Sequence, residues 1–297
     1  MPIHTWSSVI LGDTDANFTA WAQGVSDAFN ALLVKTADTG QAAQPFVFAR
    51  PAANAVVGFE VFRFDDAQQA LFPIYMKVEY GFGSSLNTPT LYVTWGTGTD
   101  GNGGITGVRL GRQAFNRSNQ PGSGVITENG ASAGEGYFNL FWGGSGADGL
   151  GLQLSVGRSI DVLGDPTADA YWAFSWNGNA VNFFTVPPAP LAALVRSTNA
   201  GNGAGLPVLG VPESTNSAEY VSMGGEVPVY PIEPFLGRRQ PPLKSAAMVN
   251  IGDVGPGVVF QTLMFGETLT FRRVAAGSNN FVTRGGMATN ALAIRWE

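Results

Sequence analysis

Apolar and polar positions change their period along this chain, and each period predicts an element. Phe18, Trp21, Ala22, Val25, Ala28, Phe29, Leu32 and Leu33 recur at i, i+3, i+4 and i+7, the spacing of one helical face. Asp13, Thr14 and Asp15 stand just upstream and offer side-chain oxygens to the unpaired amides of a first turn. A helix over about residues 15–34 follows, with an apolar stripe that a sheet or a partner chain must cover.

From Phe46 onward the period falls to two. Val57 to Phe64 places Val57, Phe59 and Val61 on one side and Phe62 and Phe64 on the other, as in a strand covered on both faces. Ile74, Met76, Val78 and Tyr80 alternate with Tyr75, Lys77 and Glu79, which predicts a half-buried strand. Leu91, Val93 and Trp95 continue the pattern, as do runs at Val108 to Phe115, Tyr137 to Trp142 and Leu150 to Val156, separated by Gly, Asn and Ser clusters. At Tyr171 to Phe184, Asn177-Gly178 divides two alternating runs and predicts a type I′ hairpin. In that register Trp176 faces Asn179, Phe174 faces Val181 and Trp172 faces Phe183, one aromatic face, while Ser175 faces Ala180 and Ala173 faces Asn182.

The prolines then cluster, at 187, 188, 190, 228, 231, 234, 241 and 242, with a glycine-rich stretch from Gly201 to Gly205. Proline demotes a run to an edge or a loop, so Pro187 to Leu243 is expected to be extended chain lying on some surface. Strands resume at Val258 to Phe265, Leu269 to Val274 and Ala291 to Trp296. The expectation is a mainly β chain: an N-terminal segment (residues 1–45) with one amphipathic helix, an antiparallel β-sandwich-like body (46–186), a long extended Pro/Gly-rich segment (187–245), and C-terminal strands (246–297) packed on the body.

Composition adds one unusual property. Charged residues make up 13% of the 297 positions, where about 25% is usual in soluble domains. Spread over the folded surface expected for this size, that leaves roughly one charge per 320 Å², about half the ordinary density. A neutral exterior suits a protein whose faces become interfaces, because charge is depleted at interface cores; a neutral extracellular domain is the plainer alternative. The net charge of −6 argues against phosphate-backbone binding, which needs a basic patch. Arg238-Arg239 and Arg272-Arg273 are the only basic doublets and are expected to be a solvated loop and a strand edge. The opening residues lack a signal-peptide pattern, and no apolar run approaches the length of a membrane helix. A soluble chain is expected, with neither nucleic-acid binding nor membrane insertion.

The search for chemistry excludes more than it finds. With no cysteine and one histidine, His4, thiolate catalysis, disulfides and the common His- and Cys-rich zinc sites are ruled out, and a Ser-His-Asp triad would rest on a residue in a terminal stretch. Gly96-Thr97-Gly98-Thr99-Asp100-Gly101 matches a dinucleotide fingerprint as a string, but Asn102-Gly103-Gly104 follows where a helix must open, so a glycine-rich hairpin loop is expected. Asp13, Asp15 and Asn17 start like a calcium loop, yet Phe18 and Gly24 occupy the positions that need glycine and glutamate, which leaves helix capping. Glu60, Asp65, Asp66 and Glu79 are candidates for a glycosidase carboxylate pair; Glu79 is expected instead to pair with Lys77, and Asp65-Asp66 to cap a short helix opening at Ala67-Gln68-Gln69-Ala70. Trp95, Trp142 and Trp176 stand beside glycine-rich turns and are the candidate contacts for a ligand or partner. No catalytic, cofactor-binding or metal-binding residue is assigned, and no cofactor is expected.

Four stretches carry a resemblance: Thr36-Ala37-Asp38-Thr39-Gly40-Gln41, Arg50-Pro51-Ala52-Ala53-Asn54, Gly58 to Asp66 (GFEVFRFDD) and Thr94 to Gly101 (TWGTGTDG). Together, over about residues 36–107, they resemble a family of tailed-bacteriophage virion proteins. The resemblance implies a structural role in tail tip, baseplate, fibre attachment or capsid surface, in symmetric copies, with other virion proteins as partners and the virion, assembled in host cytoplasm, as location. It supplies no catalytic residue. A capsid decoration protein, a module binding a receptor or host-surface glycan, and a glycoside hydrolase are the alternatives.

Overall fold

The structure is a computed structural model. It describes the backbone of residues 3–9, 14–42, 46–66, 68–83, 89–115, 123–129, 137–143, 150–160, 166–176, 181–186, 196–197, 208–209, 227, 229–231, 233–234, 246–250, 254–255, 258–264, 266–273, 280–282 and 288–296. Side chains are described for most of residues 14–112 and for part of 227–296. The chain is mainly β, with antiparallel pairing throughout and one helix among the described residues. It divides into two compact units, Pro2–Gly134 with Trp142–Ser145, and Glu135–Phe141 with Gly146–Glu297. The division falls inside the stretch 46–186, so the helix and the first strands share one unit.

That N-terminal unit contains β1 (Ile3–Val9), α1 (Asp15–Leu32), β2 (Val34–Lys35), β3 (Val56–Arg63), β4 (Tyr75–Phe82), β5 (Pro89–Thr99), β6 (Ile105–Phe115) and β7 (Ser123–Asn129). β2 to β6 form a five-stranded antiparallel sheet in sequence order, and β1 pairs with β7. Thr14 caps α1, its hydroxyl accepting from Asn17 N at 3.1 Å. The helix stops at Leu32 because Leu33 is already extended and Val34 and Lys35 pair with Arg63 and Phe62. Ladder bonds to β3 thus replace the last half-turn of the expected helix.

The helical stripe finds its cover in the sheet. Phe18 stacks on Phe82 (5.0 Å between ring centroids), Trp21 meets Tyr80 edge-on (6.2 Å) and Phe29 lies against Phe62 (5.3 Å). The alternation's inward residues Ile74, Met76, Val78 and Tyr80 are all fully buried, and β4 carries the face on to Phe82, also fully buried. Register carries the face across to Leu91, Val93 and Trp95 on β5 and to Phe62 and Glu60 on β3. The layer facing this sheet is therefore α1, a helix-on-sheet arrangement that buries both apolar faces at once.

The remaining strands are β8 (Tyr137–Gly143), β9 (Leu150–Ile160), β10 (Pro166–Trp176), β11 (Val181–Val186), β12 (Arg196–Ser197), β13 (Val208–Leu209), β14 (Val229–Pro231), β15 (Glu233–Pro234), β16 (Ala246–Asn250), β17 (Val259–Met264), β18 (Glu267–Arg273), β19 (Asn280–Val282) and β20 (Ala288–Arg295). β10 and β11 pair as Trp176↔Val181, Phe174↔Phe183 and Trp172↔Thr185, a register two residues longer than expected. Residues 177–180, the Asn-Gly turn among them, lie outside the described residues. A slip of two leaves the parity of the pairing unchanged. Most of the Pro/Gly-rich segment also lies outside the described residues, Arg238-Arg239 included; within it the described strands are two or three residues long.

A six-stranded sheet, with path β14-β16-β20-β18-β17 and β19 on β20, holds a second core of Val249, Phe260, Met264, Leu269 and Phe271. Val227 N, two residues before β14, donates to Gln261 O of β17 at 3.5 Å. Arg272 and Arg273 lie on β18, an interior strand, not on an edge as expected. Arg272 sits over the Trp296 ring at 4.5 Å, Arg273 donates to Val254 O, and burial lowers the pKa of both below the usual arginine value.

Candidate functional site

The acidic candidates are the natural starting point, because paired carboxylates are the chemistry this composition still permits. Glu60 belongs to β3 and is fully buried under α1. Its Oε1 accepts from Lys35 Nζ and its Oε2 from Tyr80 Oη, each at 2.6 Å. Upstream, Asn30 Nδ2 donates to Ser26 Oγ at 3.1 Å, and Ser26 hydrogen-bonds Tyr80. A relay of donors therefore runs from α1 through β4 to one carboxylate on β3, with β2 supplying the countercharge. Burial first, and then the Glu60 charge, hold the Tyr80 hydroxyl well above the usual tyrosine range. Both Glu60 oxygens are committed to holding four elements together.

Asp38, which the sequence did not single out, does similar work between loops. Its Oδ1 accepts from Thr36 Oγ1 (2.7 Å), and its Oδ2 accepts from Gly103 N (2.9 Å) and from Thr99 Oγ1. Thr39 N adds a bond to Gly101 O at 2.9 Å, and Thr39 Oγ1 one to Asn102 Oδ1 at 2.8 Å. Of the Gly-rich string expected to be a hairpin loop, Gly96 to Thr99 continue β5, and only Asp100 and Gly101 fall in the loop, residues 100–104 between β5 and β6. Asp100 folds it by accepting from the amides of Asn102 and Gly104, both at 2.8 Å, and those bonds pull its pKa below the ordinary carboxylate value. Gly103 has φ +86°, and a Cβ there would lie 2.2 Å from the Phe59 ring. The stretches 36–41, 58–66 and 94–101 thus meet around Phe59 and Asp38.

The outward face of the sheet mixes rings and charges. Lys77 lies over the Phe59 ring at 4.3 Å, and Arg112 over the Tyr92 ring at 3.8 Å. Glu79 pairs with Arg112 (2.8 Å), not with Lys77 as expected. Same-face neighbours on one strand stand nearly 7 Å apart, so a long arginine reaching across β5 wins. Asp65 pairs with Arg63 at 3.3 Å, and Asp66 Oδ1 accepts from Gln68 N at 2.9 Å, capping a run of turns at residues 68–71 where a short helix was expected.

Trp95 is corrected outright. Its side chain is fully buried among the inward residues of β5, because a strand beside a glycine-rich loop still alternates its faces and Trp95 falls on the α1 side. It is a core residue with no surface for a ligand. Trp142 lies on β8 and Trp176 at the end of β10; their side chains are outside the described residues, as is that of His4 on β1. Among the described residues no group of three or more His, Cys, Asp or Glu is placed to hold a metal ion, and no helix is long and apolar enough to cross a membrane.

Exposed apolar side chains lie elsewhere, among them Val47, Leu71 and Val108 in this unit. Residues 46–50 run as extended chain along α1, with Phe46 buried and Val47 88% exposed. A groove of about 710 Å³ opens between this stretch and Ala16, Thr19, Ala20 and Gln23 of α1. Leu71, 72% exposed, is a further large apolar side chain in solvent in this unit. No protein-family model matches the chain, and no curated protein matches it.

Proposed function

We propose that the chain is a structural component of a tailed-phage virion, most consistent with tail tip, baseplate or fibre attachment, acting through packing between subunits. The observation that carries this reading is the shortage of charge, 13% of residues, on a surface that also leaves Val47 and Leu71 open to solvent. Such a surface gains by being covered, since burying apolar area is favourable at roughly 25 cal/mol per Å². Glu60, Asp65, Asp66 and Glu79 each hold a hydrogen bond or ion pair within the unit. Capsid decoration uses the same physics at another place in the particle.

Mass spectrometry of purified particles of the encoding virus tests the proposal. The chain is expected among the particle proteins in multiple copies; its absence from particles, with its presence in infected cells, would overturn the assignment. A glycan- or receptor-binding module is the second reading, and it rests on Trp142 and Trp176 beside glycine-rich turns. A glycan array separates the two: binding that is lost in Trp142→Ala or Trp176→Ala favours the module.

A further inference from the structure

Four Asn-Gly pairs stand in this sequence, beginning at Asn102, Asn129, Asn177 and Asn202, and in Asn102-Gly103 both residues are described. An asparagine before glycine is chemically labile, because the glycine nitrogen, with no Cβ beside it, can close onto the asparagine side chain. Here the glycine cannot be exchanged without cost. Gly103 holds φ +86°, and a Cβ there would clash with the Phe59 ring. The loop between β5 and β6 therefore keeps the labile pair for reasons of packing.

Both ends of the ring that would form are tied elsewhere. Gly103 N, the nucleophile, is buried and donates to Asp38 Oδ2 at 2.9 Å. Asn102 Oδ1, on the carbon it would attack, accepts from Thr39 Oγ1 at 2.8 Å. The amides of Asn102 and Gly104 are held by Asp100 Oδ1 at 2.8 Å each, so the peptide plane between Asn102 and Gly103 cannot swing toward the side chain without breaking bonds. Asp38 is itself fixed by the Thr36 and Thr99 hydroxyls and is 9% exposed. Asn102, by contrast, is exposed. Water therefore has access to its side chain as soon as the Gly103 amide is released.

We infer that Asn102 is a latent deamidation site and that Asp38 and Thr39 are the latch that keeps it closed. When the latch opens, Gly103 N gives its proton to solvent base and attacks Asn102 Cγ. The new C–N bond replaces the bond to the side-chain nitrogen, ammonia leaves, and a succinimide ring remains. Water then opens the ring at one carbonyl or the other, giving isoaspartate or aspartate, with no oxidant or reductant involved. Either product opposes reclosing. Aspartate adds a negative charge to a loop that already carries Asp100 and docks on Asp38, and isoaspartate lengthens the main chain by a methylene among hydrogen bonds spaced for the ordinary linkage. The modification thus runs one way, parting residues 36–41 from 100–104. This site goes beyond the virion assignment and does not depend on it, since the reaction belongs to the purified chain.

Peptide mass spectrometry of the full-length chain, held in mildly alkaline buffer, reads the fraction of Asn102 whose amide has become an acid. The wild type is expected to react there far more slowly when native than in urea, where the same groups are released. Full-length Asp38→Ala loses the charge-assisted bond to Gly103 N and is expected to react roughly ten- to a hundredfold faster than the wild type, with the β4 amides still protected from hydrogen exchange. Thr39→Val frees Asn102 Oδ1 and leaves Asp38 in place. It is expected to react several-fold faster, and it decides the matter should Asp38→Ala lose the β4 protection. A native wild type that reacts as fast as in urea, a protected Asp38→Ala chain that reacts no faster than the wild type, or an unchanged rate in Thr39→Val would each overturn the inference.

Discussion

Replacing Glu60 with glutamine separates a structural carboxylate from a catalytic one. The native carboxylate accepts two short charge-assisted bonds, from Lys35 and Tyr80 at 2.6 Å each, at a site without solvent. Glutamine keeps one oxygen, which can accept from Tyr80, but places an NH₂ against the Lys35 ammonium. Hydrogen bonds to charged groups contribute about 1.5–3 kcal/mol each, and breaking a fully buried ion pair costs about 3–5 kcal/mol. Lys35 retains 28% of its side-chain exposure, so its ammonium recovers some hydration and the expected loss falls to about 2–3 kcal/mol. Native-state hydrogen exchange at the amides of β4 reads this loss within the N-terminal unit alone. A change below about 0.5 kcal/mol would refute the structural role of Glu60 and return it to the candidates for chemistry.

Three further outcomes follow from the same unit. The folded pKa of Tyr80 is raised above its unfolded value, so the stability it contributes is complete below pH ~10 and is lost as pH climbs from there through the folded pKa; thermal melts between pH 8 and 11 should show that fall, and Tyr80→Phe should flatten it. Gly103→Ala combines a positive φ with a Cβ pressed against Phe59 and should cost about 2–4 kcal/mol, of which Phe59→Leu in the same chain recovers only the steric part; full recovery would mean the backbone angle is no constraint. Trp95→Ala should destabilise the unit by about 3–5 kcal/mol, and loss of ligand or partner binding without loss of stability would contradict its place in the core.

What could be read from the sequence was what depends on period and parity. The stripe from Phe18 to Leu33, the Thr14 cap and the inward side of β4 follow from spacing alone, and the β10–β11 pairing, missed by two residues, keeps its parity. What could not be read was what depends on distance through space. Asp38 binds groups some 60 residues away in a hairpin loop, and nothing local marks it, although the run of glycines at 101–104 hints that backbone there is approached closely. Glu79 chose a partner two strands over because register brought Arg112 nearer than Lys77. The chain at 46–50 carries no strand ladder of its own, so its order comes from three polar side chains of α1, Gln23, Thr19 and Asp15, which accept from the amides of Phe46, Phe48 and Arg50, a pattern that looks like ordinary solvation until the two stretches are side by side.

A density map of the intact particle is the most direct test of the central claim that this polypeptide works by being covered by neighbours. The account predicts that its five-stranded sheet with α1 is found at symmetry-related positions, with the Val47 side of α1 buried against adjoining protein. A particle that lacks this fold, or that carries it with that side open to solvent in every copy, would contradict the claim.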